Sequence, residues 1–193
     1  MTQLNRRQRQ MSERREQILA TALKLFETKG YNDTSMEEIA NVADVARGTL
    51  YNHFESKSEI FMALISTAKQ AWQLEAFART KNGESAVAMI EYILHQASLW
   101  VDDHPFLGEA FAEVFAQKMM TNKAQIRFIV PEELIKIAQD KKELTNSFDP
   151  QVLAALLDSI ARYWTMKYFT QNSKIKISSH VQADVRNLLQ RLK

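Results

Sequence analysis

The sequence predicts an all-α protein of about nine helices, and three observations carry that prediction. Hydrophobic residues make up 46% of the 193, with only 4 Gly and 3 Pro to serve turns. Ala, Leu, Glu, Gln and Lys, which favour helix, dominate what remains. Apolar residues recur at three- and four-residue intervals along almost the whole chain, the spacing of one helical face. The length suits one helical domain or a small domain joined to a larger one.

The first helix is expected from Ser12 to Lys29, with Ile18, Ala22, Leu25 and Phe26 on one face and Gly30 where it stops. In the next stretch, "DTSMEEIANVA", either Thr34 with Glu37 or Ser35 with Glu38 forms a capping box ahead of Ile39, Ala40 and Ala43. This second helix is two to three turns long. After Asp44 and Val45 comes "ARGTLYNHF", in which Leu50 and Phe54 are four apart and mark the inner side of a third, short helix. Ser56 with Glu59 caps a fourth and longer one, whose apolar run passes through Ile60, Phe61, Leu64 and Ile65 toward Trp72 and Phe77.

Asn-Gly at 82–83 and "DDHPF" at 102–106 interrupt the chain. Helices are expected near 85–101, 106–120 and 123–140, the last bent or broken at Pro131. Pro150 opens a helix of about twenty residues with a stripe of Leu153, Leu156, Leu157, Ile160, Ala161, Trp164 and Tyr168. A last helix near 179–192 carries Val181, Val185, Leu188 and Leu192 on one side.

Charge is informative by placement, because the net formal charge is only +2. Residues 1–15 contain Arg6, Arg7, Arg9, Arg14 and Arg15 against Glu13 alone, whereas residues 1–61 balance nine basic against nine acidic. With no cysteine there is neither a disulfide nor a thiolate metal site. No apolar leader and no run long enough for a bilayer are visible, so a cytoplasmic location is expected. His53, His95, His104 and His180 lie on separate segments without metal-ligand spacing. No nucleophile triad, carboxylate pair or glycine-rich phosphate loop stands out, so no enzyme activity and no cofactor are expected.

The second and third helices have the spacing of a helix-turn-helix. Such a pair needs a small residue where the helices touch, a residue tolerant of left-handed backbone at the turn, an apolar residue after it, and another inside the second helix. Ala40, Asp44, Val45 and Leu50 fill those roles in order. The outward side of the third helix is then Arg47, Gly48, Thr49, Tyr51, Asn52 and His53, with Lys57 just beyond. Arg47 suits guanine, Asn52 suits adenine, and Thr49 suits a thymine methyl or a base edge. Tyr51, His53 and Lys57 suit phosphate oxygens, and Gly48 permits close approach to a groove.

Residues 18–61, with the signature "T-L-Y-x-H-F-x-x-K", resemble the DNA-binding domain of the TetR family of transcriptional regulators. The resemblance implies a DNA-binding domain over residues 1–61 and a helical ligand-binding and dimerisation domain over residues 62–193. It implies DNA contacts for Thr49, Tyr51, His53 and Lys57, with Thr34 or Ser35 on phosphate at the start of the second helix. Asp44, Ala46 and Asn52 depart from the usual pattern, where glycine, a Ser or Thr, and a larger aromatic or basic residue are common. In that context the arginine-rich extension lies near the duplex and is a candidate for a minor groove.

The resemblance further implies an effector pocket and a homodimer on a palindromic double-stranded operator. Candidate pocket residues for a hydrophobic or amphipathic small molecule are Met89, Tyr92, His95, Trp100, Glu109, Phe111, Phe115, Met119, Phe128 and Trp164. The candidate dimer interface is Leu153, Leu156, Leu157, Ile160, Val181, Val185 and Leu188, closing a four-helix bundle with a second copy. The function expected is a repressor released from DNA by its effector. The alternative is a small-molecule carrier or sequestering protein that keeps an unused helix-turn-helix.

Overall fold

The computed structural model describes residues 6–108, 110, 111, 114, 129–171 and 175–193, without the side chains of Arg7 and Gln171. Among the described residues there are eight full helices and no strand. They are α1 (Arg6–Lys29), α2 (Met36–Val42), α3 (Arg47–His53), α4 (Lys57–Lys81), α5 (Ala86–Asp103), α6 (Glu132–Asp140), α7 (Pro150–Gln171) and α8 (Ile177–Arg191). Residues 107, 108, 110, 111 and 114 are also helical. None of the described helices is long and apolar enough to cross a membrane.

Helix α1 begins at Arg6, before the expected Ser12, because the expectation followed the apolar periodicity and the first turns, RRQRQ, carry none. Of the bend or break expected at Pro131, the break is seen: Pro131 is the N-cap residue of α6, with φ −67° and ψ 136°, and residues 129 and 130 before it are not helical. A proline that cannot donate its missing N–H is best tolerated at such a start. The expected residues 115–128 lie outside the described part of the chain.

The chain forms two compact units, residues 1–67 with 105–124 and residues 68–104 with 125–193. In the first, Ile18, Ala22 and Phe26 of α1 pack with Ile39, Leu50, Phe54, Ile60 and Phe61, all essentially inaccessible. Phe26 meets Tyr31 with centroids 5.1 Å apart and Phe106 at 5.7 Å, and Tyr31 meets Phe61 edge-on at 5.7 Å. Such tilted pairs add to area burial.

In the second unit, α5 is central and packs on α6, α7 and α8. Its face of Met89, Ile90, Ile93 and Leu94 lies in one core with Leu134, Ile135, Leu153, Leu157, Val181 and Val185. Carboxylates from distant segments hold backbone N–H groups at helix starts or just ahead of one. Asp102 accepts from the Ile177 and Ser178 N–H groups at the start of α8, at 2.8 and 3.0 Å. Asp158 accepts from Ile129 and Val130 N–H ahead of α6, at 2.6 and 3.1 Å. Glu143 accepts from the Ser85 hydroxyl and the Val87 N–H at the start of α5, at 2.6 and 3.0 Å.

Candidate nucleic-acid interface

The turn between α2 and α3 is built as its sequence demands. Asp44 takes the left-handed backbone, φ +51°, which aspartate tolerates better than most side chains. The Val45 N–H then reaches back to the Ala40 carbonyl at 3.0 Å. A tie that sequence spacing did not reveal comes from α1, where the Gln17 side-chain amide donates to the Ala43 carbonyl at 2.8 Å. Gln17 and Ala43 are 26 residues apart, and no local pattern pairs them.

At the start of α2 the choice between Thr34 and Ser35 is resolved. Ser35 is the N-cap, its hydroxyl accepting from the Glu38 N–H at 3.1 Å. The Glu38 carboxylate pairs with Lys29 rather than returning to the cap. Thr34 is 2% exposed and donates its hydroxyl to the Gly30 carbonyl at 2.8 Å. Its expected phosphate contact is therefore corrected: Ser35 is exposed there, and Thr34 is not.

Leu50 and Phe54 are buried at 0% and 1%, so α3 is held by one side. Arg47, Gly48, Tyr51 and Asn52 are exposed on the other, while Thr49 and His53 are half-buried. A Cβ added to Gly48 would meet nothing within 4 Å. Glycine inside a helix costs about 0.5–1 kcal/mol relative to alanine, and no packing among the described residues requires it here. Ala46 leaves the N-terminus of α3 without a side-chain cap.

Lys57 is more engaged than a free phosphate-binding lysine. Its ammonium donates to the Tyr31 and Asn32 carbonyls at 2.6 and 3.3 Å and sits 4.3 Å from the Tyr31 ring centroid. It ties the start of α4 to the loop after α1, with one of its three N–H donors not used in those two bonds.

Of the expected effector residues, Met89, Tyr92, His95 and Trp100 lie on α5 and Trp164 on α7. Met89 is core at 2% exposure. The Tyr92 hydroxyl donates to Glu75 at 2.6 Å, and burial, reinforced by that carboxylate, pushes its pKa up to about 12. Trp100 packs edge-on against Trp72 at 6.4 Å and at a tilt against His104 at 4.9 Å. His95 is half-buried, and its Nδ1 is buried without a hydrogen-bond partner among the described residues. Trp164 stacks on His180 at 4.2 Å and donates to Asp184 at 2.8 Å. Phe111 belongs to the first unit and is half-buried. Glu109, Phe115, Met119 and Phe128 lie outside the described residues. A cleft of about 210 Å³ in the second unit is lined by Leu99, Asp102, Asp103, Tyr168, Ile175, Lys176 and Ser178, none of them a candidate.

The expected dimer stripe also needs correction. Leu153, Leu157, Val181 and Val185 are 0–1% exposed within the protomer and have no surface left for a partner. Ile160 and Leu188 are half-buried, and Leu156 is 46% exposed. On α7 the outward apolar residues are Val152, Leu156, Tyr163 and Met166, spaced along one face.

A short helix held from beneath, with Arg, Tyr and Asn turned outward after a tight turn, defines a helix-turn-helix DNA-binding regulator. The family described as "Bacterial regulatory proteins, tetR family" matches residues 18–64. The HTH-type transcriptional repressor BepR of Brucella suis biovar 1 is 27% identical over 170 residues, covering 80% of this chain and 79% of that protein. In structure the chain is similar to FadR of Thermus thermophilus, a TetR-family repressor solved with lauroyl-CoA. That likeness has a TM-score of 0.74 at 19% identity, over 91% of this chain and 93% of that one. FadR of Bacillus subtilis, solved with stearoyl-CoA, gives 0.61 at 16% identity, over 90% and 96%. Residues 18–64 thus match the DNA-binding domain of the TetR family, and the chain is a DNA-binding transcriptional regulator similar to a repressor over most of its length.

Proposed function

We propose that the protein is a homodimeric repressor that leaves a palindromic operator when its C-terminal region binds an amphipathic effector. Residues 1–61 are assigned to DNA and residues 62–193 to effector binding and dimerisation. The observation that carries the DNA assignment is the outer face of α3: Arg47, Gly48, Tyr51 and Asn52 are exposed, and nothing among the described residues accounts for the glycine. Arg47 and Asn52 read base edges, while Ser35, Tyr51, His53 and the remaining donor of Lys57 hold phosphates.

For the effector, the lauroyl-CoA and stearoyl-CoA held by the two similar structures support a long acyl chain on a polar carrier. His95, whose buried Nδ1 has no hydrogen-bond partner among the described residues, is assigned as a polar contact, and the partly buried Trp100 as an apolar one. Two copies meet through the outward face of α7, Val152, Leu156, Tyr163 and Met166, whose exposure leaves apolar surface to cover. The effector works only by favouring a conformation that fits DNA less well, and its effect equals that difference in affinity.

Selection from a random-sequence duplex library, followed by titration with acyl-CoA or free CoA, tests this. The expected result is a two-fold symmetric site bound saturably and released by acyl-CoA alone. Failure to enrich any sequence at moderate salt removes the regulator reading, and enrichment without release by acyl-CoA removes only the effector class.

A further inference from the structure

The arginine-rich extension is helical, which changes what it is able to hold. Residues 6–17 form the first three turns of α1, and every described side chain from Gln8 to Gln17 is exposed. Arg6, Arg9 and Arg14 make no ion pair among the described residues. The first turn holds Arg6, Arg7 and Arg9 and no acid. Cations there oppose the positive end of the helix dipole, and the like charges of Arg6 and Arg9, three residues apart, repel. In isolation, this arrangement is disfavoured by its own electrostatics.

The extension is also fixed in place. Arg15 lies with its guanidinium carbon 4.7 Å from the Phe54 ring centroid, at the end of α3, and Gln17 is bonded to the turn before α3. Met11 lies seven residues before Ile18 on the same helical stripe, yet is 54% exposed where Ile18 is fully buried. The stripe runs on past its platform, so the basic turns overhang the helix-turn-helix.

We propose that this overhang is a rigid clamp on DNA phosphates flanking the site read by α3, engaging one stretch of backbone per subunit. The proposal rests on the DNA-binding function above. An α-helix with its side chains is about 10–12 Å across, and the minor groove is about 6 Å wide, so a helical extension does not enter that groove as an extended arm does. Phosphates reverse the cost of each feature: they neutralise the unpaired guanidiniums, satisfy the dipole and screen the arginine pair.

The experiment measures binding of the full chain to sheared mixed-sequence duplex DNA and to the selected operator across a salt series. One variant replaces Arg6, Arg9 and Arg14 with Gln, preserving helix propensity, and a second is Ser12→Pro, which keeps every charge but breaks the helix ahead of the folded body. The clamp predicts a slope of log K against log salt shallower by about 0.9 for each phosphate no longer neutralised. The change in slope should be equal on both DNAs and should appear in both variants with unchanged thermal unfolding. An unchanged slope in the Gln variant overturns the clamp. So does a Ser12→Pro protein that retains wild-type affinity and prefers A·T flanks, because that is a flexible minor-groove arm. If wild-type protein shows no salt-dependent binding, the DNA-binding reading falls and the clamp with it. Wild-type binding with an unchanged variant slope removes the clamp alone.

Discussion

Both units close helix starts with local caps, and the second adds carboxylates from far along the chain. At the DNA head, Ser35 accepts from the N–H three residues on, Ser56 does the same, and Asp44 makes the turn with its own backbone. In the second unit, Ser85 and Asp149 also cap locally, but Asp102 and Glu143 accept from groups 56 to 76 residues away at the starts of α8 and α5, and Asp158 holds the Ile129 and Val130 N–H groups ahead of α6. Local caps let short helices take shape with little help. Remote carboxylates make each helix depend on another, so a disturbance at one element is felt at two. The first arrangement suits a surface that must present fixed contacts to DNA. The second suits a region whose occupancy must be communicated between helices.

The largest test of this contrast is Asp102→Ala. It strands two N–H groups of α8 that now bond to a carboxylate, and is expected to cost about 3 kcal/mol, read as a lower urea midpoint at unchanged slope. A loss below about 1 kcal/mol, the value expected for a local cap, would erase the distinction.

Asp158 offers a pH-dependent version. Burial pushes its carboxyl from 3.8 up to about 6, against the opposing effect of the Ile129 and Val130 N–H groups. The folded state thus binds its proton more tightly than the unfolded state does. The resulting stability is complete below 3.8 and is lost as pH rises through about 6. Wild type should therefore gain up to about 3 kcal/mol relative to Asp158→Asn across that fall in pH. Parallel stability curves for the two proteins would rule out this role for Asp158.

At the head, Ser35→Ala should cost about 1 kcal/mol and no more, with DNA affinity falling alongside if Ser35 also holds phosphate. The smallest stability change, and opposite in sign, is expected for Gly48→Ala. Replacing an exposed helical glycine should stabilise the fold by about 0.5–1 kcal/mol. The added methyl, which meets nothing in the chain, should instead weaken operator binding tenfold or more, about 1.4 kcal/mol. Equal operator affinity would show that α3 does not approach the groove at that residue.

The same contrast explains what was legible beforehand. The turn at Asp44, the inner pair Leu50 and Phe54, and the outward set on α3 follow from signals acting over three or four residues. The dimer stripe was misread because Leu153 and Leu156 share a helix and a residue type, and only the positions of α5 and α8 decide which of them is covered. Thr34 and Ser35 are equally good caps on paper; the carbonyl of Gly30 takes the hydroxyl of one and leaves the other outside.

By itself, the sequence determined the helical class, most helix starts, and the helix-turn-helix with its DNA face, since period, capping and turn chemistry are properties of neighbouring residues. Tertiary structure alone decided that Lys57 ties a loop, that Gln17 holds the turn, that α1 overhangs its platform, and that carboxylates of the second unit cap helices far along the chain. Those outcomes depend on which buried faces meet, and residues 26 to 76 positions apart carry no local signal of their meeting.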